Sequence, residues 1–265
     1  MDCANGAMSV INKSIFESLG AKVILINSDE KYGQGINSGC GSTHLEQLKS
    51  LVKDNNLDFG VAYDGDGDRT ILIDHERNEI DGDDIIAILA EFLKLDKVVT
   101  TVMANQGLLN WVEKNQFHAE ITPPGDSYVA EAMRTLNIKL GGEQSGHIIL
   151  PNEPTGDGML TSLMITKAVA STKKSLHDLA SIIVKLPQVM VNMSATPTQK
   201  ENLKISDDAK KILLEYDKKL KSVEGRLLVR PSGTEPLIRI TMWGNDQNII
   251  TDFANNLKSK LEEIL

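Results

Sequence analysis

The chain has 265 residues, 41% hydrophobic and 25% charged, a composition that is typical of globular proteins and excludes collagen, coiled coils and bulk disorder. Its 28 basic and 37 acidic residues give a net charge of −9, which argues against nucleic-acid or membrane-surface binding and favours small-molecule partners. With two cysteines, no leader-like opening and no run near the ~18 apolar residues of a membrane span, we expect a reduced, cytoplasmic protein.

The first part of the chain alternates helical patterns with apolar runs. Residues 8–20 and 44–56 have the periodicity of amphipathic helices, whereas AKVILI (21–26) and FGVAY (59–63) are typical of buried strands. This alternation predicts an α/β domain with a mostly parallel sheet.

The same alternation starts again after residue 81. Helices and strands are predicted in turn, with helices at 83–95, 106–115 and 127–137 and strands at 97–103 and 119–122. IKLGGEQSGHIILP (138–151) then reads as two strand fragments around a glycine pair. These patterns predict a second α/β domain.

Near Pro187 the pattern changes to strands and helices in a different order. Strands are predicted at 188–195, 225–230 and 237–243, and helices at 206–220 and 248–265. They indicate a small α+β domain with an antiparallel sheet. We therefore predict three domains, at residues 1–81, 82–187 and 188–265.

Three aspartates crowd together directly after the strand at 59–63. Asp64, Asp66 and Asp68 alternate with glycines in DGDGDR, so the backbone can curl and the carboxylates can converge on one hard cation, Mg²⁺. An acidic turn between two strands is the alternative. An EF-hand does not fit, because Arg69 stands where that loop needs glycine and His75 where it needs glutamate.

A phosphatase of the haloacid-dehalogenase type also places Asp-x-Asp after an apolar strand. Asp64 would then be a nucleophile and Asp66 an acid/base. That chemistry needs a lysine ahead of a second acidic pair, and no lysine lies between Asp68 and DGDD (81–84).

Two further stretches carry polar groups that could bind a small molecule. In GGEQSGH (141–147), an extended backbone would point Glu143, Ser145 and His147 to one side, where they suit sugar hydroxyls; a glycine-rich hairpin with a buried histidine is the alternative.

In RPSGTEPLIRI (230–240), hydroxyls, backbone N–H groups and two arginines together describe a phosphate cradle. The residues are Arg230, Ser232, Gly233, Thr234 and Arg239. A plain β-turn is the alternative.

DGDGDR, GGEQSGH and RPSGTEP, in this order, resemble the metal, sugar and phosphate loops of the α-D-phosphohexomutase superfamily. The resemblance covers essentially the whole chain. Gln144 and CGSTHLE (40–46) are similar to the phosphoglucosamine mutase branch. The implied fold is two α/β domains with mixed sheets followed by a small α+β domain.

The resemblance also implies a reaction. Enzymes of this branch interconvert glucosamine 6-phosphate and glucosamine 1-phosphate through glucosamine 1,6-bisphosphate, towards UDP-N-acetylglucosamine and cell-wall precursors. The three aspartates would hold one Mg²⁺, Glu143, Ser145 and His147 would hold sugar hydroxyls, and the RPSGTEP loop would anchor the phosphate that is not reacting. Arg69 would steady the metal loop or the reacting phosphate.

The chain departs from the family pattern in one major respect. Family members carry a phosphoserine loop in a first domain, and no serine of this chain matches it. Leu45 and Ser127 are smaller departures, at positions where relatives carry proline and a basic residue. Three interpretations stay open: a mutase part that works with a separately encoded first domain, a silent fragment that binds metal or sugar phosphate, or a phosphoglucomutase or phosphomannomutase.

Overall fold

The structure, a computed structural model, describes residues 1–29, 33, 35–233 and 235–265. Their helices are α1 (Met8–Ser18), α2 (Glu46–Asp54), α3 (Gly82–Leu93), α4 (Gln106–Lys114), α5 (Asp126–Leu136), α6 (Gly158–Thr172), α7 (Leu176–Ala180), α8 (Pro197–Ile205), α9 (Asp207–Lys221) and α10 (Gln247–Ile264). Their strands are β1 (Phe59–Tyr63), β2 (Thr70–Asp74), β3 (Glu79–Ile80), β4 (Lys97–Thr101), β5 (His118–Thr122), β6 (Gly141–Gly142), β7 (Ile148–Ile149), β8 (Gln188–Ser194), β9 (Arg226–Pro231) and β10 (Leu237–Trp243).

The chain divides into two compact units. The first comprises Met1–Ala104 with Leu108–Val184, and the second comprises Asn105–Gly107 with Lys185–Leu265. The boundary predicted after residue 81 falls inside the first unit, so the division into three domains stays a prediction. In the part of the chain that the structure describes, no helix is long and apolar enough to cross a bilayer.

The first sheet of the first unit is antiparallel, in the order β1-β2-β3. β1 and β2 pair along their whole length, from Phe59 opposite Asp74 to Tyr63 opposite Thr70. The prediction of a mostly parallel sheet is wrong here, because the short loop 64–69 cannot make the crossover that parallel neighbours need. The hairpin instead holds both ends of the aspartate loop close together.

The apolar run at 21–26 does not form the predicted strand. Only Ile26 makes a bridge, parallel to Asp2, which also bridges Ala62 on its other side. Residues 21–25 form no bridge, so the pairing does not extend into a ladder. The run still contributes Leu25 and Ile26 to hydrophobic packing.

The second sheet of this unit is mixed. Its order is β5-β4-β6-β7, with β4 parallel to β5 and β6, and β6 antiparallel to β7. The two parallel pairings suit the intervening helices α4 and α5, which supply the crossovers. The short hairpin β6–β7 carries GGEQSGH, so the predicted sugar loop stands at the edge of this sheet.

Both sheets of the first unit share one hydrophobic core. Val61 and Leu72 from the first sheet belong to the same buried cluster as Leu108 and Ile165. A buried hydrogen bond of 2.7 Å between Tyr63 Oη and Ser162 Oγ crosses this core. Residues on either side of position 81 are therefore packed into one body.

A polar contact adds to this packing at the surface. His177 Nδ1 of α7 lies 2.8 Å from Oδ2 of Asp74 at the end of β2. Burial would raise the pKa of the Asp74 carboxyl, but hydrogen bonds from Asn78 and His177 outweigh it and lower that pKa. The same hydrogen bond, which the Asp74 carboxylate accepts, raises the pKa of His177.

The second unit is α+β with an antiparallel sheet, as predicted. β10 lies at the centre of the order β8-β10-β9. Buried residues of α9 and α10, including Tyr216 and Leu257, pack with Ile240 of β10. α8 is not among the predicted helices, although Thr196 and Gln199 form a capping box and Pro197 stands in the first turn.

Candidate functional site

The three aspartates predicted to bind metal converge in the loop between β1 and β2. A carboxylate oxygen from each of Asp64, Asp66 and Asp68 lies within 4.8 Å of the others. Asp64 is buried and Asp66 is exposed. The hairpin brings the loop back on itself, so residues two apart in sequence face a common point.

Hydrogen bonds to Asp64 fix the shape of this loop. Its Oδ1 accepts from the N–H groups of Gly67 at 3.2 Å and Arg69 at 3.1 Å, and its Oδ2 accepts from Arg69 Nε at 2.6 Å. Burial would raise the pKa of Asp64, but these bonds from Arg69 outweigh burial and lower it. Asp64 is therefore held as a carboxylate, and Arg69 steadies the loop directly.

The pKa of Asp68 is shifted in the opposite direction. Burial, followed by the charge of the neighbouring Asp64, raises the pKa of Asp68 to about 6. Its Oδ1 is buried and lies 3.6 Å from Arg69 Nε, but it receives no hydrogen bond from any residue that the structure describes. An oxygen-liganded cation would satisfy this atom and relieve the repulsion, so the three carboxylates fit Mg²⁺.

Glycines allow other segments to approach the loop closely. A Cβ on Gly6 would lie 2.1 Å from Gly65 O, and the N–H of Ala7 donates to the same oxygen at 2.9 Å. On the other side, Gly158 N donates to Gly67 O at 2.9 Å. The start of α1 and the start of α6 thus support the aspartate loop through its backbone.

The predicted sugar loop is adjacent to the metal loop but is not extended. Residues 143–146 form a turn closed by Gly146 N donating to Glu143 O at 3.0 Å. The expectation that an extended backbone aligns Glu143, Ser145 and His147 is wrong, because Gly146 has φ of 92° and turns the chain. Ser145 is exposed, whereas His147 is buried.

His147 links the sugar loop to the metal loop. Its Nε2 accepts from Gly156 N at 3.3 Å and lies 3.6 Å from Asp68 Oδ2. In the neutral tautomer whose Nε2 accepts this bond, the ring hydrogen is on Nδ1. Nδ1 is buried and has no partner among the described residues, which leaves a donor for a ligand or water.

Other contacts fix Glu143 and the turn that carries it. Oε1 of Glu143 accepts from the N–H of Gly125, at the start of α5, at 3.0 Å. Gln144 O accepts from Gly82 N of α3 at 3.1 Å. Two helix N-termini therefore hold the turn, which lies beside Thr70 of β2 through a bond of 3.1 Å from Thr70 N to Gly146 O.

The predicted phosphate loop lies in the second unit, between β9 and β10. Ser232 is buried; its N–H donates to Leu237 O at 2.9 Å, and its Oγ accepts from Glu235 N at 3.2 Å. Gly233 is exposed. Thr234 lies outside the described residues.

The two arginines of this loop are cross-strand neighbours. Arg230 on β9 pairs in register with Arg239 on β10, and Arg239 Nη2 forms an ion pair with Glu235. Burial and the charge of Arg239 lower the pKa of Arg230, and Arg230 Nε is buried without a partner among the described residues. Like charges opposite each other favour the binding of an anion between them.

Lys200 contacts this loop although no sequence pattern predicts it there. This residue of α8 donates through Nζ to Ser232 O at 2.8 Å and to Glu235 O. No motif contains it, and its contact depends on how α8 packs against the loop. Only the capping signals at Thr196 and Pro197 could have indicated that a helix begins there.

The metal assignment predicts that Mg²⁺ stabilises the chain. Binding to the folded state alone contributes RT ln(1 + [Mg²⁺]/Kd), on the order of 1 to 3 kcal/mol at tens to hundreds of Kd. Melting curves in chelator and in ~10 mM Mg²⁺ should therefore show a higher midpoint with metal. Asp66→Asn removes one ligand and one repulsion, so this variant should lose the response yet match or exceed the stability of the metal-free parent.

A matched control is Asp252→Asn, which changes an exposed carboxylate on α10. This variant should keep the full Mg²⁺ response. Equal shifts in the parent and in Asp66→Asn would place the ion elsewhere and refute the assignment.

Family comparisons match the chain to three domains of one family. Residues 1–78 match the alpha/beta/alpha domain II of phosphoglucomutase/phosphomannomutase, residues 81–186 match its alpha/beta/alpha domain III, and residues 190–259 match its C-terminal domain. These matches follow one another in the order of the three loops.

Curated relatives are similar over the whole chain. The phosphoglucosamine mutases of Caldicellulosiruptor saccharolyticus and Clostridium acetobutylicum are each 44% identical to it, over 275 and 274 residues. These alignments cover 100% and 99% of the chain but 60% of each relative. The chain thus spans about 60% of the length of these relatives.

Solved structures share the fold. The Aspergillus fumigatus N-acetylphosphoglucosamine mutase in complex with GlcNAc-6P and magnesium has a TM-score of 0.79 at 19% identity, covering 99% of this chain and 60% of that one. An N-acetylglucosamine-phosphate mutase of the alpha-D-phosphohexomutase superfamily, in its substrate complex, has a TM-score of 0.76 at 21% identity, covering 97% and 60%. At this identity the likeness describes architecture.

Proposed function

The chain belongs to the phosphoglucomutase/phosphomannomutase family, and from this premise we propose that it carries the metal, sugar and phosphate sites of a phosphoglucosamine mutase. The reaction would interconvert glucosamine 6-phosphate and glucosamine 1-phosphate through glucosamine 1,6-bisphosphate. The observation that carries the proposal is the convergence of three carboxylates beside His147, in a chain 44% identical to phosphoglucosamine mutases.

The residues of the first unit would serve the reacting end of the substrate. Asp64, Asp66 and Asp68 would hold one Mg²⁺, which neutralises charge on a phosphoryl group in transfer. Arg69 keeps Asp64 ionised and the loop in shape. His147 would donate from Nδ1 to a sugar hydroxyl, with Ser145 and Glu143 as further partners on the same turn.

The residues of the second unit would hold the phosphate that is not reacting. Arg230 and Arg239 supply charge, while the Ser232 hydroxyl, Gly233 N–H and Thr234 supply donors. Donors that contact the phosphate alone would recognise it in either orientation of the sugar. The Nε of Arg230, buried without a partner among the described residues, supports this assignment.

Replacing both Arg230 and Ser232 by alanine should weaken binding of glucosamine 6-phosphate. The loss of two donors to a charged group should cost about 3 kcal/mol, or roughly a hundredfold in affinity. Calorimetric titration in Mg²⁺ measures the affinity, and a melting curve shows whether the fold is retained. Arg134→Ala, which removes an exposed arginine of α5, is the matched control and should bind as the parent does.

Unchanged affinity in the double variant would show that RPSGTEP is only a turn. A comparison of glucosamine 6-phosphate with glucose 6-phosphate in the same titration tests the amino-sugar preference. Tighter binding of glucose 6-phosphate would favour the phosphoglucomutase interpretation.

A further inference from the structure

Lys200 ties together the two ends of the phosphate loop. Its ammonium donates to the carbonyl of Ser232 at 2.8 Å and also to the carbonyl of Glu235. These two carbonyls flank Gly233 and the position that follows it. One side chain from a separate helix therefore binds the loop on both sides of Gly233.

The contact also determines which way one backbone donor points. The carbonyl of Ser232 and the N–H of Gly233 belong to the same planar peptide group and point in opposite directions. With the carbonyl turned towards Lys200, the Gly233 N–H is turned away from it. Gly233 is exposed, and no acceptor for its N–H lies among the described residues.

Without the ammonium, the Ser232 carbonyl would lose its hydrogen bond from Lys200. A glycine peptide rotates easily, and its rotation would present a carbonyl oxygen where the N–H now stands. A carbonyl oxygen repels phosphate, whereas an N–H attracts it. Lys200 thus determines whether the loop presents an N–H group or a carbonyl oxygen to an anion.

The helix that carries Lys200 is itself anchored. A capping box of Thr196 with Gln199 starts α8, and Leu203 on the same helix is buried. Ala195 N donates to Pro236 O at 2.9 Å, which fixes the chain entering α8 to the chain leaving the loop. The backbone that carries Lys200 is therefore held in place relative to the loop.

We propose that Lys200 is a positioning residue for phosphate recognition: it holds the Ser232–Gly233 peptide so that its N–H faces the bound phosphate and adds a positive charge behind the loop. This inference rests on the proposed function of RPSGTEP as the phosphate cradle. It assigns a role to a residue outside that motif.

The test uses the whole chain and glucosamine 6-phosphate as the probe. Lys200→Met keeps the aliphatic length and removes the ammonium, and we expect its affinity to fall about tenfold in calorimetric titration. Lys200→Arg can donate to both carbonyls and should restore most of the affinity. Lys204→Met is the matched control on α8, where Lys204 forms an ion pair with Glu201, and it should bind as the parent does.

An NMR measurement separates positioning from general destabilisation. The amide signal of Gly233 should move on addition of glucosamine 6-phosphate in the parent and in Lys200→Arg. In Lys200→Met at saturating probe, this movement should be largely lost while signals of the two cores stay unchanged.

The outcomes distinguish the inference from the function on which it rests. If Arg230→Ala leaves the affinity unchanged, or the parent does not bind the probe, the phosphate assignment of the loop fails and this inference fails with it. If Arg230→Ala weakens binding but Lys200→Met binds as tightly as the parent, with the Gly233 signal moving normally, only the role of Lys200 is overturned.

Discussion

No glucosamine 1-phosphate is expected when the 265-residue chain alone is incubated with glucosamine 6-phosphate, Mg²⁺ and glucosamine 1,6-bisphosphate. Covalent phosphoryl transfer needs a nucleophile, and no serine of the chain matches the phosphoserine loop that the family resemblance leads us to expect. Relative to a full-length phosphoglucosamine mutase, we expect the rate to be lower by at least about 10⁴-fold, the scale on which loss of a nucleophile acts. A coupled assay for glucosamine 1-phosphate measures this.

Addition of the part of a relative that the chain does not cover provides the control. The part of the Clostridium acetobutylicum relative that the chain does not cover can be supplied as a separate polypeptide. Return of activity, and its loss again with Asp66→Asn, would support a mutase part; no return at any ratio would favour a fragment that only binds. Robust turnover by the chain alone would contradict the prediction.

Gly146→Ala is expected to destabilise the first unit by about 3 to 5 kcal/mol. Gly146 has φ of 92°, and a Cβ there would lie 2.2 Å from Thr70 O and 2.9 Å from Thr70 C. Both atoms are backbone, so no side chain can rotate away. Urea unfolding followed by circular dichroism measures the loss, and the Mg²⁺ response should weaken as the turn beside the metal loop shifts.

Gly233→Ala is the matched control for this change. Nothing lies within 4 Å of a Cβ built there, so its effect on unfolding should stay below about 1 kcal/mol. Equal losses of stability in the two variants would mean that the close approach of Gly146 to β2 does not matter.

Elements bounded by strong local signals could be predicted from the sequence. β1 and β10 have the predicted bounds, 59–63 and 237–243, because each is rich in apolar residues and lies between charged or turn-forming residues. Pairing partners could not be predicted in the same way. The antiparallel return of β1 to β2 depends on the length of a loop, and the run at 21–26 lacks a ladder although its composition suits a strand.

The residues of the candidate site could also be predicted only in part. Spacing alone indicated the aspartates, and the structure brings their oxygens within 4.8 Å of one another. The sugar loop was predicted from a period of two that its turn does not follow, because the φ of a glycine cannot be read from its identity. No sequence pattern indicates that Lys200 belongs to the site. Its contact with Ser232 joins residues 32 apart, which only tertiary packing brings together.

In the proposed phosphate site, the ion pair between Arg239 and Glu235 would make phosphate binding at this arginine an exchange of one anion for another. The carboxylate would return to Arg239 when phosphate departs, so the arginine would keep a counter-charge in the released state. Such an exchange lowers the net affinity and raises the off-rate. In the proposed reaction a bisphosphate would have to free one phosphate, reverse its orientation and present the other, and a loop that releases phosphate readily would keep that reversal fast.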